Sequence, residues 1–134
     1  MSKIDELMLK AEQGDKNAQF NLGWMCLTAK DGVKQDVPAG IKYMEMAAAQ
    51  GDIDAATCLA NVYDDFSIDA NKAMYWSKKA AMMSTTGEEI VDYAFKFIEG
   101  RLVVQNYATA KEWLNKAASM GNARAKEYLK NLKY

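Results

Sequence analysis

The stretch Ala110 to Gly121, AKEWLNKAASMG, is written into this chain more than once. Thirty-seven residues upstream, Ala73 to Ser84 reads AMYWSKKAAMMS, with Ala, Trp, Lys-Ala-Ala and a small last residue at the same offsets. Thirty-three residues before that, Gly40 to Gly51 reads GIKYMEMAAAQG, with Tyr43 at the Trp position and Ala47-Ala48 at the Ala-Ala position. A fixed period in the mid-thirties marks a repeat array, in which each unit is one supersecondary piece that cannot bury its apolar face alone. The period constrains the fold closely and leaves the partner unnamed.

Helix starts are countable, because Ser, Thr, Asp and Asn side chains accept bonds from the unpaired N–H groups of a first turn. Candidates fall at Ser2, Asp15, Asp36, Asp52, Asp69, Thr86, Asn106 and Asn122. Ser2 with Asp5 resembles a capping box, and Thr86 with Glu89 is a better one. Pro38, the only proline, sits in a first turn, where its missing N–H is tolerated. Gly14, Gly51 and Gly121 precede the next cap, where a left-handed helix end favours a residue without Cβ. The spacing predicts eight helices, over 3–13, 16–29, 37–50, 53–64, 70–83, 87–99, 107–120 and 123–133. No alternating run bounded by turns argues for a strand, so the chain reads as all-α, with antiparallel neighbours joined by short connections.

Each unit pairs two dissimilar helices. The first carries Ala18, Leu22, Gly23 and Cys26, recurring as Ala55, Leu59, Ala60 and Tyr63, loosely as Tyr93, Ala94 and Phe97, and finally as Ala125 and Leu129. Those spacings put Ala, Leu and the aromatic on one face. The second is the dodecamer helix, whose Ala-Ala pair makes a flat contact. Trp76, Trp113 and Tyr43 repeat with the packing period and read as core wedges rather than ligand stackers.

Written as a string, the unit is A-x3-L-G-x2-(Y/C), a G-V-x2-D loop at Gly32, Val33 and Asp36, then (A/G)-x2-(W/Y)-x2-K-A-A-x2-G. This resembles the Sel1-like repeat, a relative of the tetratricopeptide repeat. The resemblance covers nearly the whole chain and implies an α/α solenoid of about three helix pairs with N- and C-terminal capping helices, wound as a right-handed superhelix. The implied layout is a single domain: an N-terminal helix over 1–14, repeats over 15–51, 52–84 and 85–121, and a capping helix over 122–134. The second unit departs by lacking the Gly-Val loop, and the third by starting its first helix with Glu88-Glu89. Some members clamp helix pairs with disulfides; here Cys26 and Cys58 fall in different units.

The residue inventory argues against catalysis. With no histidine, the commonest general base and metal ligand are missing. The adjacent pairs Asp64-Asp65 and Glu88-Glu89 do not converge on one point of a helix. Cys26 and Cys58 sit among Leu and Ala as small hydrophobes. No Gly-rich phosphate loop is present. The expectation is a non-enzyme with no cofactor and no metal. The two cysteines, the absence of an apolar export segment and the short uncharged runs lead to an expectation of a cytoplasmic, soluble, reduced protein.

A net charge of -1 gives no bulk attraction to nucleic acid or membrane. Its distribution is uneven: Glu45 to Asp69 carries six carboxylates and no Lys or Arg, whereas Arg101 to Tyr134 carries seven basic residues against two acidic ones. By the family resemblance, the first helix of each pair lines a concave groove. That assigns Asn17, Phe20, Trp24 and Leu27 in the first unit, Asp54, Thr57, Asn61 and Asp64, with neighbouring Asp65, in the second, and Glu88, Val91, Phe95 and Glu99 in the third, with Arg124, Glu127 and Asn131 at the end. Phe20, Trp24 and Phe95 lie off the core stripe, as aromatic anchors at interfaces do. The Asp54, Asp64, Asp65, Glu88, Glu99 cluster points to a basic protein partner or a Lys/Arg-rich segment. Lys126, Lys130 and Lys133 share one helical side and read as a solvated face. The expected function is a monomeric, bacterial-type interaction module, by family analogy an immunity or adaptor protein capturing a basic toxin. The alternative is a scaffold that self-associates through its ends, recognisable by exposed apolar residues in Met1 to Leu9 or at Tyr128 and Leu132.

Overall fold

The computed structural model describes residues 2–30, 32–66 and 68–132, and among them every regular element is a helix. These are α1 (Lys3–Glu12), α2 (Lys16–Thr28), α3 (Val37–Ala49), α4 (Ile53–Asp65), α5 (Ala70–Met83), α6 (Glu88–Glu99), α7 (Tyr107–Ser119) and α8 (Ala123–Asn131). The starts follow from cap chemistry. Ser2, Asp15, Asp36, Asp69, Asn106 and Asn122 each accept a bond from the backbone N–H three residues on. Asp52 does the same for Ala55. The Ser2–Asp5 capping box is formed in both directions.

The Thr86–Glu89 box is not formed. Gly87 takes the cap position with φ 84°. Ser84 supplies the side-chain work instead: its Oγ accepts from the Gly87 N–H at 2.9 Å and donates to Glu89 at 2.7 Å. The left-handed conformation is what excludes Thr86 from the role, because a cap residue must precede the first turn directly and only glycine adopts that φ cheaply. Gly14, Gly51 and Gly121 end their helices at φ 98°, 88° and 90°. Lys133, which the lysine stripe of α8 included, lies outside the described residues.

The chain forms two compact units, Met1–Leu59 and Ala60–Tyr134, divided inside α4. In the first, Gln19 of α2 meets Gln50 at the end of α3, Gly23 meets Met44, and Leu27 meets Gly40. Rising numbers on one helix against falling numbers on the other make the pair antiparallel. The crossing is close: a Cβ on Gly23 would stand 3.1 Å from the Gly40 carbonyl oxygen, and a Cβ on Gly40 would stand 2.6 Å from Leu27 Cγ. Ala11, Ala18 and Leu22 form the core here, with Ile4, Leu7, Met25 and Tyr43 packed around them.

In the second unit α6 and α7 repeat the arrangement. Tyr93 meets Trp113 edge-on at 5.0 Å, and the Phe97 carbonyl accepts from the Asn106 N–H at 2.9 Å. Val91, Ala94, Ala110, Leu114, Ala117 and Ala125 are fully buried in this core. Trp113 and Tyr43 thus pack as wedges on their cores; Trp76 is half-buried, edge-on to Tyr75 at 5.1 Å. Helix α8 lies along α6 in the same direction, Arg124 level with Glu88 and Tyr128 level with Phe95. Relative to α6 and α7 it takes the direction of a first helix, following α7 as α6 follows α5.

Buried carboxamides close each unit's polar accounts. Gln19, 2% exposed, donates to the Ala11 carbonyl and accepts from Gln50. Asn122, 6% exposed, caps α8 through Oδ1 while its Nδ2 donates to the Thr86 carbonyl at 3.0 Å and to Glu88 at 2.9 Å. Removing that amide strands a carbonyl and uncaps a helix together. Asn122→Ala is therefore expected to cost about 2 kcal/mol, read from the urea midpoint. Arg124→Ala, which breaks only exposed ion pairs, is expected to cost at most about 0.5 kcal/mol.

Candidate functional site

The exposed side of α2 is the best-defined surface of the first unit. Asn17, Asn21, Trp24 and Thr28 are all exposed and recur at intervals of four, three and four, which is one face of a helix. Trp24 is 45% exposed, and Thr28 donates its hydroxyl to the Trp24 carbonyl at 2.7 Å. No charge interrupts this stripe. Phe20 is half-buried beside it. Leu27 belongs to the core instead: it is 7% exposed and fills the space left by the missing Cβ of Gly40. Between α1 and α2 runs a groove of about 400 Å³ lined by Ser2, Lys3, Ile4, Leu7 and Met25. At the start of α4, Asp54 is exposed and Thr57 half-buried.

In the second unit Asn61, Asp65 and Glu99 are exposed. The other carboxylates expected in the acidic cluster are already engaged. Arg101 grips Asp64 with both guanidinium nitrogens, at 2.8 and 2.7 Å, and Lys96 stands 4.0 Å away. The Arg101 hydrogen bonds hold the Asp64 carboxyl below its usual range, against a smaller opposing effect of burial. Glu88 is bonded to Arg124 and Asn122, which likewise hold it low, and Asp92 reaches Arg124 at 3.4 Å. Val91 is fully buried, so it is core and not surface. Phe95 is half-buried, edge-on to Tyr128 at 4.6 Å. Glu88 and Phe95 thus join α6 to α8.

A signal for these pairs was present in the sequence. Arg101 follows Asp64 by 37 residues and Arg124 follows Glu88 by 36, one repeat period each. Reading charges one period apart, rather than within a helix, would have found both.

Neither cysteine is poised for chemistry. Burial raises the Cys26 thiol, with a further rise from nearby Asp36. Burial pushes Cys58 up to about 11. At pH 8 Cys58 is expected to react with iodoacetamide at least about a hundredfold more slowly than free cysteine, since the thiolate is the nucleophile. Mass spectrometry of the alkylated protein over time measures this. Among the described residues no group of three His, Cys, Asp or Glu side chains is placed to hold a metal, and no helix is long and apolar enough to cross a membrane.

The Sel1 repeat profile matches residues 16–52, 66–84 and 97–122, more than half of the chain. Among solved structures, the chain is similar to a Sel1 repeat protein from Oxalobacter formigenes, with 28% identity and a TM-score of 0.74, covering 98% of this chain and 100% of that one. It is also similar to a protective antigen present in uropathogenic Escherichia coli strains that displays an SLR fold, with 25% identity and a TM-score of 0.73. That match covers 94% of this chain and 27% of the antigen's. No curated protein matched. With its period, its paired helices and these likenesses in agreement, the chain belongs to the Sel1 repeat family.

Proposed function

We propose that this protein is a non-catalytic binding module that holds a protein partner on the exposed faces of its first helices. Sel1 repeat proteins generally mediate protein–protein interaction. The observation that carries the reading here is Trp24, a large aromatic 45% exposed in the middle of an uncharged helical face. Tryptophan is enriched among the few interface residues that carry most of the binding energy, which supports reading Trp24 as an anchor. Asn17 and Phe20 flank it on α2, with Asp54 and Thr57 on the same unit's part of α4. In the second unit Asn61, Asp65 and Glu99 are the first-helix residues of the reading that stay exposed. The partner is basic or carries a Lys/Arg-rich segment, because Asp54, Asp65 and Glu99 are exposed with no hydrogen-bonded cation among the described residues. An immunity protein capturing a basic toxin, or an adaptor holding a basic client, is the role this chemistry suits.

A photo-crosslinking residue placed at position 24 tests the reading in the source cell. Capture of one protein from position 24, and none from position 45 on the exposed side of α3, is the expected result. Equal labelling from both positions contradicts it.

Self-association is a second reading with one observation in its favour. Met8 is 40% and Leu9 48% exposed on α1, where α3 and α7 carry Glu45 and Met46, and Asn115 and Lys116, at the same repeat positions. Sedimentation at rising concentration separates the two. A mass that stays monomeric removes the second reading, and an oligomer abolished by Leu9→Glu supports it.

A further inference from the structure

The repeats act as controls for one another in the loops that precede the second helices. Asp36, Asp69 and Asn106 are equivalent, each the N-cap of its helix. One residue earlier stand Gln35, Ile68 and Gln105. The two glutamines do the same structural job: Gln35 donates to the Leu27 carbonyl at 3.0 Å, and Gln105 to the Ile98 carbonyl at 2.9 Å, each tying the loop to the end of the preceding helix. Ile68 has no group to do so and is 48% exposed. Two residues before the cap, the first repeat carries Lys34 and the third carries Val104, which is 88% exposed. Packing does not select apolar side chains at either place, since neither is buried and a polar residue serves the fold in a sister repeat.

The first departure borders a cavity within the second unit, and the second stands two residues along the chain from its lining. Ile68 and Leu102, two residues from Val104, line a single cavity of about 250 Å³ together with Tyr63, Asp64, Asp69, Ala70 and Arg101. Phe66, two residues before Ile68 in the chain, is 47% exposed. The charges around the cavity select the occupant. Asp64 is closed by its bidentate pair with Arg101, with Lys96 nearby, and Lys72 lies over the Tyr63 ring at 5.6 Å. Asp65 and Glu99 remain without a hydrogen-bonded cation, both close enough to act on Arg101 through space.

We infer that the edge carrying Ile68 and Val104 is a second docking surface, taking a partner segment that sets an aliphatic side chain in the cavity and a lysine or arginine against Asp65 and Glu99. An aliphatic centre ringed by charge is the usual build of a small protein interface. This inference rests on the reading of the chain as a protein-binding module but not on the α2 face.

The test uses the whole chain, labelled with ¹⁵N, and an amidated peptide alternating leucine and lysine, with an alternating leucine and glutamate peptide as its opposite. The basic peptide is expected to shift the amides of Phe66, Ile68 and Leu102 to Gln105. Ile68→Gln and Val104→Lys, each the residue a sister repeat already carries, are expected to leave the melting temperature unchanged and to weaken binding about tenfold each. The acidic peptide is expected to bind at least about fivefold more weakly than the basic one. Equal binding of the two peptides, or an unchanged affinity in both folded variants, overturns the inference. So does a shift of the same amides with protein concentration alone, which makes a second copy the occupant. Shifts confined to residues 17–28 and lost in Trp24→Ala also overturn it, while leaving the α2 reading in place.

Discussion

Gly40→Val lowers stability by about 3 kcal/mol and the melting temperature by roughly 10 °C. The size follows from opposing effects. In an exposed helix, replacing glycine with alanine is worth about 1 kcal/mol in favour of the helix, and valine recovers only part of that. At Gly40 the first added carbon already stands 2.6 Å from Leu27 Cγ and 2.7 Å from its Cδ2, and 3.1 Å from the Gly23 carbonyl oxygen. Leu27 is buried and has little room to turn away, and the carbonyl belongs to the backbone of α2, so the helices must separate. Overpacking therefore exceeds the propensity gain. Ala49→Val, on the exposed side of the same helix, supplies the control and is expected to cost less than about 1 kcal/mol. Thermal denaturation followed by circular dichroism measures both. A Gly40→Val protein as stable as the Ala49→Val one would mean that α2 and α3 do not cross at Gly23 and Gly40.

Trp24→Ala weakens binding of the captured partner about a hundredfold while changing stability by no more than about 1 kcal/mol. Truncating a central aromatic anchor costs 2 kcal/mol or more at an interface, and about 1.4 kcal/mol is a factor of ten. The fold loses little, because Trp24 lies opposite the Leu22 and Gly23 side that packs α2. A double variant with Phe20→Ala is expected to lose less than the product of the two single effects, since neighbouring residues that share a partner do not act independently. Isothermal titration against the partner, with the urea midpoint measured alongside, separates recognition from folding.

The architecture was legible because repetition made each signal appear three times. The dodecamer, the side-chain caps and the glycine ends located all eight helices to within about two residues at each end. One local signal misled. Thr86-x-x-Glu89 has the letters of a capping box, but Gly87 intervenes in a left-handed conformation and Ser84 does the bonding. The candidate surface was less legible for a definite reason. Whether a residue on a first helix faces solvent depends on what the facing helix carries. Leu27 is covered because Gly40 has no side chain, and Phe95 is covered because Tyr128 follows one repeat later. Single-helix periodicity holds neither fact. Asp64 and Glu88 looked like free acids for the same reason, their arginines lying a full period downstream. Trp24 alone among the aromatics named for the groove stayed 45% exposed, since it stands on a face with no such partner.

The most direct measurement of where a partner sits is amide hydrogen exchange of the whole chain, free and with the protein captured at position 24. Slowed exchange across residues 17–28 of α2, with the exposed side of α3 unchanged, is the result expected of a module that binds through its first helices. Protection confined to α3, α5 or α7, with α2 exchanging as in the free protein, would place the partner on the second helices and contradict that claim.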